Sequence, residues 1–311
     1  MNRAEFHSLV MQHKKILEIG PFTSPFISGE NVKYFDRLDH EELVKRAQAH
    51  KLEIKNCPKK IHYVSQNCDY TIIHESFDAI FSSHCIEHTP DFISHICDIS
   101  NILLDNGIYY LIIPDKRFCF DAYLTPSTIP QILSAYYEKR KIHTLENIIE
   151  HRVFTAKVNP SDLWNLNYNN SDKCIINEKN FIDKCFDEFL QKKYVDVHAW
   201  KFTPKHFRDI LLYLYHNNYI NLYPVKIFPT EFGNIEFFAI LQKSNIKINA
   251  QLSLYSIYKN MNSIDEIEKT VINELKYSYE NSSSWKLTKP LRDISKIGKK
   301  IKRFFNRNSQ A

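Results

Sequence analysis

Residues 82–89 read SSHCIEHT, which holds His84, Glu87 and His88 in the pattern H-x-x-E-H. If the segment is helical, these three side chains share a face. Two imidazoles could then bind zinc while the carboxylate activates water, as in one class of metalloprotease. That chemistry needs a long helix around the motif and a further protein ligand. Here an apolar run precedes the motif and Thr89-Pro90 ends it, so it reads better as the mouth of a ligand site at a strand end. There, His84 or His88 can orient or deprotonate a hydroxyl, because neutral imidazole titrates near operating pH. A divalent ion on His84, Glu87 and His88 is the secondary expectation, and its nitrogen ligands would favour a transition metal or zinc over magnesium. A third histidine, His198 in DVHAWKFTP, stands just before a helix start and is a further candidate base.

The elements that must position these residues can be read from apolar runs and their punctuation. KKILEIG (residues 14–20) is a short apolar run suited to a buried parallel strand. NVKYFD (31–36) is a second strand, followed by the helical HEELVKRAQAH. IHYV (61–64) is a third strand and FDAIFSS (77–83) a fourth. The spacing of apolar residues 92, 93, 96, 99, 102 and 103 predicts a helix, and Asn106-Gly107 predicts a turn into a fifth strand, IYYLIIP. Residues 118–200 are polar and mainly helical in pattern, as expected of an insertion or lid. Thr203 fits an N-cap and Pro204 the first helical position, with the helix running to about Asn217. Two closing strands then flank a turn at Gly233. Strands alternating with helices predict an α/β, doubly wound, mostly parallel sheet.

Chemistry at such a sheet concentrates outside the carboxyl ends of its strands. Glu18 and Gly20 end the first strand. Gly20 permits close backbone approach, and Glu18 could receive a cationic ligand group. Asp36 ends the second strand and could accept two hydrogen bonds from a ribose diol. Asp115, Lys116, Arg117 and Asp121 follow the fifth strand; they could bind a polar acceptor or brace their own loop.

Composition narrows the remaining classes. The seven cysteines include no C-x-x-C pair and read as reduced thiols of a cytosolic protein. No apolar run approaches the ~18 residues of a membrane span, and the N-terminal stretch lacks the pattern of a secretory signal. The net charge of +5 is uneven. From residue 289 onward there are eight Lys/Arg and one Asp, or +7, which leaves the rest near −2. A basic nucleic-acid groove across the main body is therefore not expected. Residues 289–307 instead have apolar and basic positions at helical spacing, suited to an anionic membrane surface or to packing on the same domain.

Taken together, ILEIGPFTSP, VKYFD, FDAIFSSHCIEHTPDF and ISNILLDNGIYYLIIPD resemble the motifs of class I S-adenosylmethionine-dependent methyltransferases. IPDKRFCFD and HAWKFTP are similar to segments of family members linked to bacterial surface-polysaccharide synthesis. The resemblance implies a seven-stranded Rossmann-like sheet with a helical insertion at about 118–200. It places the methyltransferase domain in residues 1–245 and a C-terminal helical, basic amphipathic extension in 246–311. It implies S-adenosylmethionine as cofactor, held by Glu18, Gly20, Pro21, Asp36, Asn67 and Ser83, with Gln66 as the alternative to Asn67. Catalysis would fall to His84, His88 and His198, and acceptor binding to Asp115, Lys116, Arg117 and Asp121. The implied acceptor is a sugar hydroxyl of a surface glycan or lipid-linked precursor, reached from the cytoplasm or the inner-membrane surface. The oligomeric state is left open. One departure stands out: Pro21, Phe22 and Thr23 follow Gly20 where the family usually has further glycines. The first helix is shortened to a turn, and the rival to an enzyme is a non-catalytic scaffold that keeps the fold.

Overall fold

The computed structural model describes residues 1–165 and 179–244; the predicted extension over 246–311 lies outside the described residues. An N-terminal helix α1 (Arg3–Val10) precedes β1 (Ile16–Ile19) and β2 (Val32–Asp36). Then follow α2 (His40–Ala49), β3 (Tyr63–Val64), β4 (Phe77–Ser83), α3 (Phe92–Ile102) and β5 (Leu103–Pro114). The insertion supplies α4 (Ile129–Tyr137), α5 (Leu145–Val153), α6 (Pro160–Trp164) and α7 (Lys179–Leu190). Helix α8 (Pro204–His216) and the strands β6 (Leu222–Phe228) and β7 (Glu236–Lys243) complete the described fold.

The seven strands form one sheet in the order β3-β2-β1-β4-β5-β7-β6. Pairings among β1 to β5 are parallel, and β7 runs antiparallel to both β5 and β6. This is the expected mostly parallel, doubly wound α/β architecture. Alternation along the strands feeds two cores. Leu17, Ile80 and Leu111 join α3, α4 and α8 on one face. Ile16, Phe81 and Tyr110 join Phe6 and Val10 of α1 on the other. The strand order reverses between β1 and β4, so their carboxyl ends diverge and open a crevice.

Thr203 caps α8 by accepting from the His206 amide, with Pro204 in its first turn, as the sequence predicts. The Asn106-Gly107 turn does not form as a break. Strand β5 begins at Leu103 and carries these residues through an irregularity, where pairing passes from Phe77↔Leu103 to Ala79↔Ile108. Asn106 takes the left-handed backbone (φ 61°) that accommodates the extra residues.

Between β1 and β2 there is no helix. Residues 21–31 instead run as a short loop that sets Phe26 and Ile27 against the α1 face. Glu18 holds this loop: its Oε1 accepts from Phe26 N at 2.8 Å and its Oε2 from Ile27 N at 3.1 Å. Burial pushes the Glu18 carboxyl up to about 7, with the two amides partly offsetting it. A carboxyl with a raised folded pKa stabilises most below its unfolded value, near 4.5, and loses that contribution as pH rises through about 7. We therefore expect the stability difference between parent and Glu18→Gln to move against the parent between pH 4.5 and 8. The shift is on the order of 3 kcal/mol, from about 1.4 kcal/mol per pH unit. Paired denaturant titrations across that range would measure it, and a pH-independent difference would refute it.

Candidate active site

A cavity of about 400 Å³ opens at the carboxyl ends of β1, β2 and β4. Gly20, Asp36, Asn67, Ser83, His84 and His88 line it, so four of the six predicted cofactor contacts and two of the three predicted catalytic histidines converge there. Glu18 and Pro21 are not in its wall. Glu18 lies behind the loop, fully engaged by the two amides. Phe22, rather than Pro21, faces the cavity.

Gly20 has φ 67°, and a Cβ there would meet Cys85 Sγ at 2.5 Å. The glycine thus lets β1 turn while pressed against the loop after β4. Phe22, two residues on, has φ 46°. In a G-x-G repeat this would be the second glycine; here the left-handed backbone is kept but filled by an aromatic side chain.

Asp36 is nearly buried, and its Oδ1 accepts from Leu38 N at 3.0 Å. Burial raises its pKa, partly offset by loop amides and by Arg46. Gln66, the alternative to Asn67, is not in this wall; its carbonyl accepts from Arg37 Nε at 2.7 Å. Arg37 in turn lies over the Tyr194 ring at 3.5 Å.

The H-x-x-E-H segment is a single 3-10 turn, Ile86–His88, ended at Thr89-Pro90. It lacks the long helix a zinc protease requires. His84 has φ 52°, a costly backbone for a non-glycine residue and one found at functional sites. Its Nε2 lies 2.8 Å from Glu236 Oε2, and Arg3 grips the same carboxylate with two hydrogen bonds of 2.6 and 2.7 Å. Although burial would raise it, the Glu236 carboxyl is held at about 2 by His84 and Arg3.

Glu87 is fully buried, and neither carboxylate oxygen has a hydrogen-bond partner. Three imidazoles surround its Oε1: His84 Nδ1 at 3.8 Å, His88 Nε2 at 3.8 Å and His198 Nε2 at 4.0 Å. Each is held through its other ring nitrogen by a separate acid. His84 is paired with Glu236, His88 Nδ1 lies 2.9 Å from Asp196, and His198 Nδ1 lies 2.6 Å from Asp121. Burial alone would lower the pKa of His84 and His88, but their paired acids and Glu87 outweigh it and raise both.

Metal ligands of this kind characteristically donate their distal N–H to a carboxylate, which fixes the tautomer and aims the other nitrogen. Among the described residues, Glu87, His88 and His198 have candidate ligand atoms within 4.8 Å of one another. The expected metal set of His84, Glu87 and His88 is thus revised: His198 joins the group, and His84 flanks Glu87 outside it. Three protein ligands of N and O type would leave an open position, as in catalytic zinc sites.

The segment 194–200 locks this centre in place. Ala199 N and Trp200 N donate to the Glu87 carbonyl at 2.8 and 3.1 Å, and Trp200 Nε1 donates to Thr89 O at 2.6 Å. Asp196 also pairs with Arg46 of α2. Sequence reasoning missed Asp196, though an acid two residues before His198 was a local signal. It also missed Glu236, which lies far away in sequence and meets the site only because β7 pairs with β5, opposite Pro114.

The four residues expected to bind the acceptor do not line this cavity. Asp115 is buried and accepts from Arg117 (2.9 and 2.6 Å) and from Thr230 Oγ1 (2.6 Å). Lys116 Nζ donates to the Ala122 carbonyl at 3.0 Å. Asp121 orients His198. The bracing alternative therefore describes Asp115, Lys116 and Arg117, because buried charges in a loop must find internal partners. Arg152, on α5 of the insertion, pairs with Glu188.

Residues 28–111 match the family described as a methyltransferase domain. Among solved structures, the DhpI–SAH complex shares 12% identity over 78% of this chain and 85% of that one, with a TM-score of 0.39. The N-terminal domain of EvdMO1, solved in the presence of SAH and D-fucose, shares 10% identity over 78% and 81%, with a TM-score of 0.37. Mitomycin 7-O-methyltransferase MmcR shares 9% identity over 78% and 54%, with a TM-score of 0.36. The chain spans 54% of MmcR and 54% of the CurJ carbon methyltransferase. No curated protein matches the chain.

Proposed function

We propose that the chain is an S-adenosylmethionine-dependent methyltransferase that methylates a hydroxyl oxygen beside a centre built from Glu87, His88 and His198, and that this centre holds a divalent cation. The observation that carries the reading is the buried, unpartnered Glu87 carboxylate facing imidazoles whose far nitrogens lie against acids, His198 hydrogen-bonded to Asp121 and His88 ion-paired with Asp196. A carboxylate so placed is expensive unless a cation meets it.

The bound cofactor supplies a methyl group already activated on its sulfonium. Asp36 would accept from the ribose hydroxyls, with Gly20, Phe22, Asn67 and Ser83 shaping the rest of its cavity. A cation at the centre would supply Lewis acidity toward the acceptor hydroxyl and lower its pKa, the proton passing to solvent. Glu87, His88 and His198 would fix its position, while the segment 194–200 keeps the turn bearing Glu87 and His88 rigid. Alignment of acceptor, methyl and sulfur is then the protein's main contribution.

A second reading dispenses with the cation and lets His84 or His88, which line the cavity, take the hydroxyl proton. The acids paired with these rings raise their pKa values and would stabilise the imidazolium that such a step forms. The sugar class of the acceptor is supported by the likeness of IPDKRFCFD and HAWKFTP, the second carrying His198, to methyltransferases of surface-polysaccharide synthesis. A lipid-linked saccharide and a membrane-surface contact through residues 289–307 belong to the same proposal. No described helix is long and apolar enough to cross a membrane.

Titration of chelator-treated protein with cobalt(II) tests the centre without knowledge of the acceptor. We expect one ion per chain with visible absorption bands, lost in His198→Ala, while S-adenosylhomocysteine binding persists in both proteins. Failure to bind any ion stoichiometrically would transfer the proton-accepting role to the cavity-facing histidines.

A further inference from the structure

Behind residues 199–201 lies a second cavity, of about 280 Å³, which shares Arg140 with the wall of the first. The N-terminal turns of α4 and α5 and residues 125–127 bound it. Its lining is of a different character from that of the cofactor cavity. Thr125, Ser127 and Ser134 bring hydroxyls. Gln131 and Asn147 commit their amide oxygens to the caps at Thr128 and Thr144, which leaves their NH₂ groups as donors. Lys201 is buried, with 4% exposure, and is ion-paired with Glu150.

The charges in this wall balance. Arg140 and Lys201 stand against Glu146 and Glu150, so a phosphate or carboxylate entering the cavity would meet two acids. A neutral ligand with several hydroxyls would meet alternating donors and acceptors instead. The volume suits one sugar ring rather than an extended chain. The location is also pointed: the same short segment bears His198 toward Glu87 and Ala199, Trp200 and Lys201 toward this cavity.

We propose that this second cavity is a binding site for an uncharged sugar residue, placed to hold a part of the acceptor remote from the methylated hydroxyl. Its role in holding the acceptor rests on the hydroxyl-methylation reading above; sugar binding by the cavity does not. The buried Lys201–Glu150 pair then acts as a fixed donor and acceptor for ring hydroxyls, as pre-organised polar groups do in carbohydrate-sized pockets.

Saturation-transfer NMR and calorimetry on the full chain would test this with methyl glycosides of neutral hexoses, 6-deoxyhexoses and N-acetylhexosamines, against glucuronate and glucose 6-phosphate as charged controls. At least one neutral glycoside should bind at millimolar concentration or better, with the charged controls at least ten-fold weaker. Ser134→Tyr, at an exposed position on the cavity rim, should weaken that binding at least ten-fold. It should leave S-adenosylhomocysteine affinity and melting temperature unchanged, and Glu146→Ala should act in the same direction. The proposal is overturned if no neutral glycoside binds, if Ser134→Tyr leaves binding intact, or if the charged sugars bind equally well. Loss of cobalt binding with sugar binding retained would remove the cation reading and leave this site standing.

Discussion

Glu87→Gln is expected to lower kcat/KM for methyl transfer by about 10³-fold or more, roughly 4 kcal/mol of transition-state stabilisation, while the metal-free protein becomes no less stable. The two halves of this result rarely coincide. Substitutions at fully buried positions usually destabilise, by about 0.5–3 kcal/mol. At Glu87 the parent side chain is itself the burden: a carboxylate with 0% exposure and no hydrogen-bond partner. The amide has nearly the same volume and carries no charge, so the desolvation penalty falls while packing is kept. What would disappear is the anionic ligand of the proposed centre. Denaturant melts of both proteins in chelator, beside transfer assays from labelled S-adenosylmethionine to a screened sugar acceptor, would measure both halves. A Glu87→Gln protein that unfolds readily would make Glu87 a structural brace and remove the basis for the centre.

The second large effect is expected at Asp36. Replacing it with alanine should weaken S-adenosylhomocysteine binding by about 10²-fold or more, since two hydrogen bonds to a charged acceptor at about 1.5–3 kcal/mol each would be lost. Burial raises the Asp36 pKa because its carboxylate is poorly solvated, and ligand hydroxyls would relieve that condition. Asp36→Asn separates charge from shape: its single carbonyl can serve either the Leu38 amide or the ligand. It should fall between parent and alanine. Calorimetry at constant pH reads this directly, and an unchanged affinity in Asp36→Ala would move the ribose site elsewhere.

Much of the fold was legible because short apolar runs ending in Gly20, Asp36 and Ser83 can only be buried parallel strands, and each ends at the crevice. The cap at Thr203 and the closing β6–β7 pair were readable for the same local reasons. The bulge in β5 was not, since Asn106-Gly107 is equally good turn chemistry and only pairing with β4 decides between them. At the site, H-x-x-E-H announced chemistry but not its partners. His198 reaches Glu87 across the whole insertion, and Glu236 reaches His84 from the last described strand. No spacing rule spans such separations. Asp115, Lys116 and Arg117 had the composition of a polar binding loop, and burial turned them toward each other and nearby backbone instead.

The loop that stands in for the first helix also changes how the cofactor is captured. In the usual doubly wound arrangement, the helix after β1 aims its N-terminal amides, with their partial positive charge, at the bound ligand. A fixed backbone field of that kind is built into the fold. This chain lacks that helix, and the cations around its crevice are the side chains of Arg37, Arg46, Arg140 and Lys141. The Arg46 side chain is 39% exposed. Charges at a solvent-facing rim are screened within about 8 Å at physiological ionic strength. Screening of these cations would weaken their pull on a ligand carboxylate and relieve their repulsion of the S-adenosylmethionine sulfonium, so ionic strength should act differently on the binding of the sulfonium and of its uncharged thioether product.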